Sequence, residues 1–330
     1  IIKLKKILKL KNYKPIIIVA GEPNSVFFEI FLKIIKNYKF KSPIILIASK
    51  NLIKKNIKFF KSKININEID YSNFKLIKMK LNTIYLIDIK YNQNKIFEKI
   101  SKKSNKYIKK SFEIALEILN TKITNKFING PISKKYFLRK NFTGITEYLA
   151  KKTNSKNVSM IIYNKLLSVS PLTTHLPVKY IAKKITKSKI INNVKTINSF
   201  WVKHFKKKPR FAITGLNPHC ESIDKFNEDD KIIRPSIKFL KKHRYNVLGP
   251  FSADTLFLKN NRKKFDIVIG MYHDQVLTPA KTLFEYDAIN ITAGLPFIRV
   301  SPDHGPNEQM LGMNKSNSLS LLRSIQFLDF

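Results

Sequence analysis

Three of the six histidines stand at equivalent places in the chain: His175 in Thr173-Thr174-His175-Leu176-Pro177, His219 in Gly215-Leu216-Asn217-Pro218-His219, and His273 in Met271-Tyr272-His273-Asp274-Gln275. Each directly follows a short apolar run. Imidazoles from three such turns can gather round one divalent cation and leave a coordination position open for a substrate. Asp274 or nearby carbonyls can then orient the rings from behind. Taken singly, each of these histidines reads as a hydrogen-bonded structural residue; the repeated placement is what points to a metal. A fourth, His304, lies in Asp303-His304-Gly305, whereas His204 and His243 sit among lysines in helix-like stretches and read as ordinary surface residues. Cys220 reads better as a small buried thiol than as a competing soft ligand.

The elements that must position these turns alternate. Strand candidates are 15–20, 43–48, 83–88, 126–129, 158–163, 167–170, 210–216 and 265–270, short apolar runs in which Ile and Val recur. Helix candidates are 25–38, 104–119, 177–186, 194–205 and 229–242. In the first, Ser25 is the expected N-cap, and Phe27, Ile30, Phe31, Ile34 and Ile35 fall on one face. Alternation of this kind predicts an α/β architecture with a mostly parallel sheet, and continuous apolar strands predict cover on both faces. In open sheets of this class ligands gather outside the carboxyl ends of the strands, where the three histidines fall. No GxGxxG and no Walker loop occur among only nine glycines, so a nicotinamide cofactor would need another construction.

The 330 residues include 63 Lys+Arg against 22 Asp+Glu, a formal net charge of +41. Such a field attracts nucleic acid and any other anion. The lysines are spread evenly among Asn and Ile, however, and no RNP strand, GXXG clamp or zinc-finger spacing accompanies them. A solvated basic surface that steers phosphorylated substrates is therefore the preferred reading over nucleic-acid binding. One cysteine excludes an internal disulfide framework and fits a reducing, cytoplasmic compartment. No apolar run approaches the roughly 20 residues of a membrane span. The basic, apolar opening 1–14 reads as a frayed start or first strand rather than a signal peptide.

An ordered series of short motifs resembles 4-hydroxythreonine-4-phosphate dehydrogenase of vitamin B6 synthesis. The series runs Gly21-Glu22-Pro23, Gly130-Pro131-Ile132-Ser133-Lys134, Gly144-Ile145-Thr146-Glu147, the three histidine turns, Ala253-Asp254-Thr255-Leu256-Phe257, Asn290-Ile291-Thr292, Gly294 to Arg299, and Asp303-His304-Gly305. The resemblance implies a two-lobed fold like isocitrate and isopropylmalate dehydrogenases. Lobe one, on the cofactor side, would comprise 1–130 plus 286–330; lobe two, with the metal histidines and dimer interface, would comprise 131–285. It further implies a homodimer with a shared site, His175, His219 and His273 as metal ligands with one donated by the partner subunit, and Thr146, Lys281, Asn290 and Arg299 as substrate-binding residues. Asp254 and Asp274 fall on acidic positions of the same pocket, and His304 and Gly305 where related folds hold the cofactor. Three departures stand out: Ile145 replaces the family's histidine, Val276 replaces a glycine, and Pro306 replaces a threonine.

The reaction so implied is NAD- or NADP-dependent oxidation of 4-phosphooxy-L-threonine at C3, followed by decarboxylation to 3-amino-2-oxopropyl phosphate. Imidazole ligands suit zinc first, with magnesium or cobalt as alternatives. Asp274 is the leading candidate for proton handling, with support of His273 as its other reading; Lys281 and Asp254 complete the expected catalytic set. Arg299 is the more telling phosphate ligand, because a guanidinium pairs with phosphate in a bidentate way that lysine cannot. Rival readings are a dehydrogenase of another phosphorylated hydroxy acid such as 4-phosphoerythronate, a basic nucleic-acid-binding α/β protein, and a non-catalytic relative.

Overall fold

The expected Ile- and Val-rich runs are strands, largely buried on both faces, and they belong to a set of twelve, of which the two-residue Asn67–Glu68 is exposed. In the computed structural model, which describes residues 13–76, 78–138, 142–223 and 226–330, they are β1 (Ile16–Val19), β2 (Ile44–Ala48), β3 (Asn67–Glu68), β4 (Ile84–Asp88), β5 (Lys126–Asn129), β6 (Ser159–Tyr163), β7 (Ser168–Thr173), β8 (Phe211–Thr214), β9 (Val247–Phe251), β10 (Ile267–Tyr272), β11 (Ile289–Ala293) and β12 (Ile298–Pro302). Of the expected opening strand 1–14, residues 1–12 lie outside the described residues.

All twelve form one sheet in the order β3-β4-β2-β1-β5-β12-β11-β6-β7-β10-β8-β9. From β3 to β12 every pairing is parallel, as is every pairing from β7 to β9. Between these blocks β11 pairs antiparallel with both β12 and β6, and β6 pairs antiparallel with β7. The two parallel blocks therefore run in opposite senses, and their carboxyl ends lie at opposite edges of the sheet. β7, β10 and β8 are neighbours, so His175, His273 and His219 leave the sheet at the same edge, one strand after another.

Helices cover the sheet through their apolar faces. Helix Phe27–Asn37 buries Phe27, Ile30, Phe31 and Ile34, with Phe27 stacked on Phe31 at 5.6 Å. Its N-cap is Val26 rather than the expected Ser25. The Ser25 hydroxyl instead donates to the Glu22 carbonyl and accepts from the Phe27 amide, a local turn that competes with capping. In helix Asn105–Asn120, Phe112 is fully buried against Phe127, Phe137 and Tyr148. Burying a Phe contributes roughly 1.5–3 kcal/mol. Tyr148 and Leu149 are the buried face of the short helix Ile145–Lys152, so this contact fixes the helix that carries Thr146 and Glu147.

Other expectations needed adjustment. The helix expected at 194–205 begins earlier, as Lys187–Phe205 with Thr186 as its cap. The segment 177–186 breaks into the turn Val178–Tyr180 and the short helix Ile181–Lys184. Helices Lys50–Phe59 and His273–Phe284 and strands β9, β11 and β12 had not been expected. His204 is no ordinary surface residue: it packs on the Phe200 ring at 4.3 Å, and burial pulls its pKa down to about 4. Val276, in place of a family glycine, is fully buried against Gly270, where an added Cβ would meet its Cγ1 at 2.3 Å. The larger residue is thus matched by a neighbour that has no side chain.

Just beyond β1, Glu22 is 1% exposed; Ser104 donates to its Oε2, and its Oε1 has no partner. Burial, outweighing the Ser104 and Asn24 hydrogen bonds, raises its pKa from 4.5 to about 7. The folded chain therefore holds a proton that the unfolded chain releases across that window. This contribution to stability is present in full below pH 4.5 and is lost as pH rises through about 7. Urea denaturation between pH 4 and 8 should show this decline, and Glu22→Gln should flatten it. At pH 8 the variant should be the more stable protein, by on the order of 3 kcal/mol.

Candidate active site

Between the two blocks lies a cleft of about 430 Å³, floored by the central strands and reaching both carboxyl edges of the sheet. At its floor Arg299, in the second position of β12, is only 3% exposed. The guanidinium donates to Asn129 Oδ1 at the end of β5 (2.8 Å) and to Thr292 Oγ1 on β11 (2.9 Å). Burial lowers its pKa to about 10, against the opposing pull of Glu147, which leaves it cationic at neutral pH. Thr292 Oγ1 also meets Thr146 Oγ1 at 3.3 Å. Three strands and one helix thus hold one buried cation in the cleft floor. A permanent charge with planar donors in this position suits an anion such as phosphate or carboxylate.

The other end of the cleft holds imidazoles. The rings of His175 and His273 have centroids 5.9 Å apart. His273 Nδ1 donates to Asp274 Oδ1 at 2.6 Å, which leaves its Nε2 as a bare acceptor. His175 Nε2 accepts from the Lys134 ammonium at 2.8 Å. Burial, and then the Lys134 charge, lowers the His175 pKa and keeps its ring neutral, as a metal ligand must be. Two imidazoles on one ion, each with nitrogen about 2.0–2.1 Å away, would have ring centres about 5–6 Å apart; the spacing here is in that range, and an ion on His175 Nε2 would take the place of the Lys134 ammonium. Asp274 sits where a carboxylate usually orients a ligating histidine. His219 is exposed in a turn with φ 54° and does not line the cleft. Among the described residues no set of three potential metal ligands forms within one chain.

The remaining expected residues divide between the edges. Helix His273–Phe284 starts at the imidazole edge, and about two turns on it carries Lys281, roughly 12 Å further along its axis. There Lys281 forms an ion pair with Asp303 and donates to its carbonyl oxygen at 3.2 Å. The expected phosphate lysine is therefore held beside the cleft by an acidic residue that lines it. Asn290 lines the cleft and leaves its Oδ1 buried without a partner. His304 Nδ1 donates to the Gly305 carbonyl at 2.9 Å, and its buried Nε2 is likewise unpartnered. Gly305 also lines the cleft, with open space where a Cβ would be. Asp254 is exposed and lines a neighbouring groove together with Asp274. The structure adds Lys134, Asn129 and Glu147 to the cleft wall, with Thr292 behind Arg299; Lys134 and Glu147 stand inside motifs already noted, but a lysine in this chain carries little signal of its own.

A two-block α/β sheet with a basic cleft floor and paired imidazoles at the opposite rim defines a class: enzymes of the isopropylmalate dehydrogenase-like fold that handle small anionic substrates. The comparisons specify the family. A family model described as pyridoxal phosphate biosynthetic protein PdxA matches residues 39–328. A 4-hydroxythreonine-4-phosphate dehydrogenase of Sulfurihydrogenibium sp. (strain YO3AOP1) is 36% identical over 314 residues, covering 94% of this chain and 95% of that protein. A D-threonate 4-phosphate dehydrogenase of Pectobacterium atrosepticum is 36% identical over 186 residues, covering 56% and 57% of the two chains. The crystal structure of 4-hydroxythreonine-4-phosphate dehydrogenase from Klebsiella pneumoniae superposes with a TM-score of 0.82 at 25% identity, covering 96% of this chain and 98% of that one. The chain belongs to the PdxA family.

The hydrogen bonds around Arg299 set a stability prediction. Thr292→Val keeps the side-chain shape but strips a buried charged donor of its acceptor, and should cost about 1–3 kcal/mol in urea denaturation. Thr146→Val removes only a contact between neutral hydroxyls at the cleft wall, and should cost under about 1 kcal/mol. Equal losses would contradict the placement of the guanidinium.

Proposed function

We propose that the chain oxidises 4-phosphooxy-L-threonine at C3 with NAD or NADP, and that loss of CO₂ then gives 3-amino-2-oxopropyl phosphate, a step of pyridoxal phosphate biosynthesis. The observation that carries this reading is the pairing of the buried Arg299 cation with the His175–His273 pair across one cleft. The divided sheet supports the two lobes, 1–130 plus 286–330 and 131–285.

Arg299 and Asn290 bind the phosphate, and Lys281 joins them by exchanging its Asp303 partner for a phosphate oxygen. Thr146 and Thr292 offer hydroxyls beside it. His175 and His273 hold a divalent ion, zinc first and magnesium or cobalt as alternatives, and His219 of a second copy completes the set in a homodimer. When bound, that ion would supply Lewis acidity at the C3 hydroxyl, and the nicotinamide would supply the hydride acceptor. Asp274 keeps the His273 lone pair directed outward, and with Asp254 supplies carboxylate for proton handling at the open rim. His304 and Gly305 line the cleft on the cofactor side, where the unpartnered Nε2 awaits a donor. Oxidation moves one hydride to the cofactor and releases one proton; decarboxylation of the 3-keto acid takes one proton up. A reducing, cytoplasmic setting suits this small-molecule chemistry.

A second reading keeps the chemistry and changes the substrate. Ile145 puts an apolar side chain into the cleft wall, and a partial relative acts on D-threonate 4-phosphate. A dehydrogenase of a phosphorylated hydroxy acid, such as 4-phosphoerythronate, is then the alternative.

Metal-loaded protein given 4-phosphooxy-L-threonine and NAD should form NADH and CO₂ in equal amounts. Chelation should reduce the rate at least about a hundredfold, and zinc should restore it. Turnover that is indifferent to chelation, or turnover of the hydroxy acid alone, would overturn this assignment.

A further inference from the structure

We propose that Glu147 reads the amino group of the substrate by accepting one of its N–H groups at Oε2, so that the cleft selects a phosphorylated amino acid over the hydroxy acid of the same skeleton. The inference rests on the reading of the cleft given above and assigns it a specificity residue.

Glu147 lines the cleft, and its Oε2 is buried without a hydrogen-bond partner. A Cβ placed on Gly144 would lie 2.8 Å from that oxygen and 3.6 Å from His175 Cε1, so the carboxylate and the imidazole flank the same point. Its negative charge acts on both His175 and Arg299. Neither nearby cation is hydrogen-bonded to it: Lys134 donates to His175 Nε2, and Arg299 donates to Asn129 and Thr292. A carboxylate on the third residue of helix Ile145–Lys152 gains from the helix dipole, which accounts for its position but not for its empty oxygen. Burying an unpaired carboxylate oxygen is costly unless a donor completes it. A ligand whose phosphate lies at Arg299 and whose C2–C3 end lies at the imidazoles brings its C2 substituent to this side of the cleft. An ammonium there adds an ion pair to its hydrogen bond with the carboxylate; a hydroxyl donates to the same oxygen without the opposite charge.

The test compares the metal-loaded parent, Glu147→Gln and Glu147→Asp on 4-phosphooxy-L-threonine and on the analogue with hydroxyl in place of the C2 amino group. Both kcat/KM and calorimetric binding without cofactor are measured. In Glu147→Gln the preference for the amino compound should fall at least about tenfold, chiefly through KM, while the hydroxy analogue changes little; Glu147→Asp should recover part of the preference. Equal losses on both ligands, or an unchanged preference, would overturn the assignment. If the parent turns over neither compound, the proposed reaction fails, and the binding ratio alone then decides Glu147 by the same two outcomes.

Discussion

A guanidinium that is 3% exposed must be surrounded by acceptors, and this requirement organises the centre of the molecule. Arg299 takes one acceptor from each neighbouring strand, Asn129 on β5 and Thr292 on β11, and a counter-charge from Glu147 on the helix Ile145–Lys152. β5 and the helix are near one another in the chain and β11 directly precedes β12, so the cation joins the 126–152 stretch to the β11–β12 pair. β12 lies between β5, its parallel neighbour, and β11, its antiparallel one, so the guanidinium sits where the sheet changes direction. The fold and the site therefore share one constraint: the buried charge stabilises the protein only with these partners, and the partners converge only in this topology.

The reversal also explains why one cleft has two chemically different ends. The carboxyl ends of β5 and β12 bring Asn129, Asp303 and His304 to one edge; those of β7 and β10 bring His175 and His273 to the other. Helix His273–Phe284 joins the edges along one side. The net charge of +41 raises the local concentration of anions without selecting among them. Among the described residues, a few buried cleft atoms keep unfilled hydrogen-bonding capacity, including Asn290 Oδ1, His304 Nε2 and Glu147 Oε2.

Most of the sheet could be read from the sequence, because strands buried on both faces are written as unbroken Ile/Val runs. β11 and β12 escaped this test: Asn290, Thr292, Arg299 and Ser301 interrupt the apolar pattern, since their polar side chains serve the cleft. β9 contains Gly249 and Pro250, residues that read as turn. Helix Lys50–Phe59 was hidden by its lysines, and His273–Phe284 by an internal Pro279. For the site, motif order located nearly every wall of the cleft. It did not locate the pairing of Lys134 with His175, the isolation of Glu147 Oε2 or the partners of Arg299, which are properties of tertiary approach. The three histidines were rightly placed at strand ends, and the structure brings two of them together in a single chain.

The buried guanidinium as an anion receptor is the claim on which the rest hangs, and calorimetric titration with inorganic phosphate reaches it without cofactor or turnover. At about 0.15 M salt, where loose attraction to surface lysines is largely screened, the account predicts one saturable phosphate per chain. Arg299→Lys, which keeps the charge and loses the fork, should bind it at least about tenfold more weakly with the fold intact. Phosphate binding of unchanged affinity and stoichiometry in that variant would contradict the account.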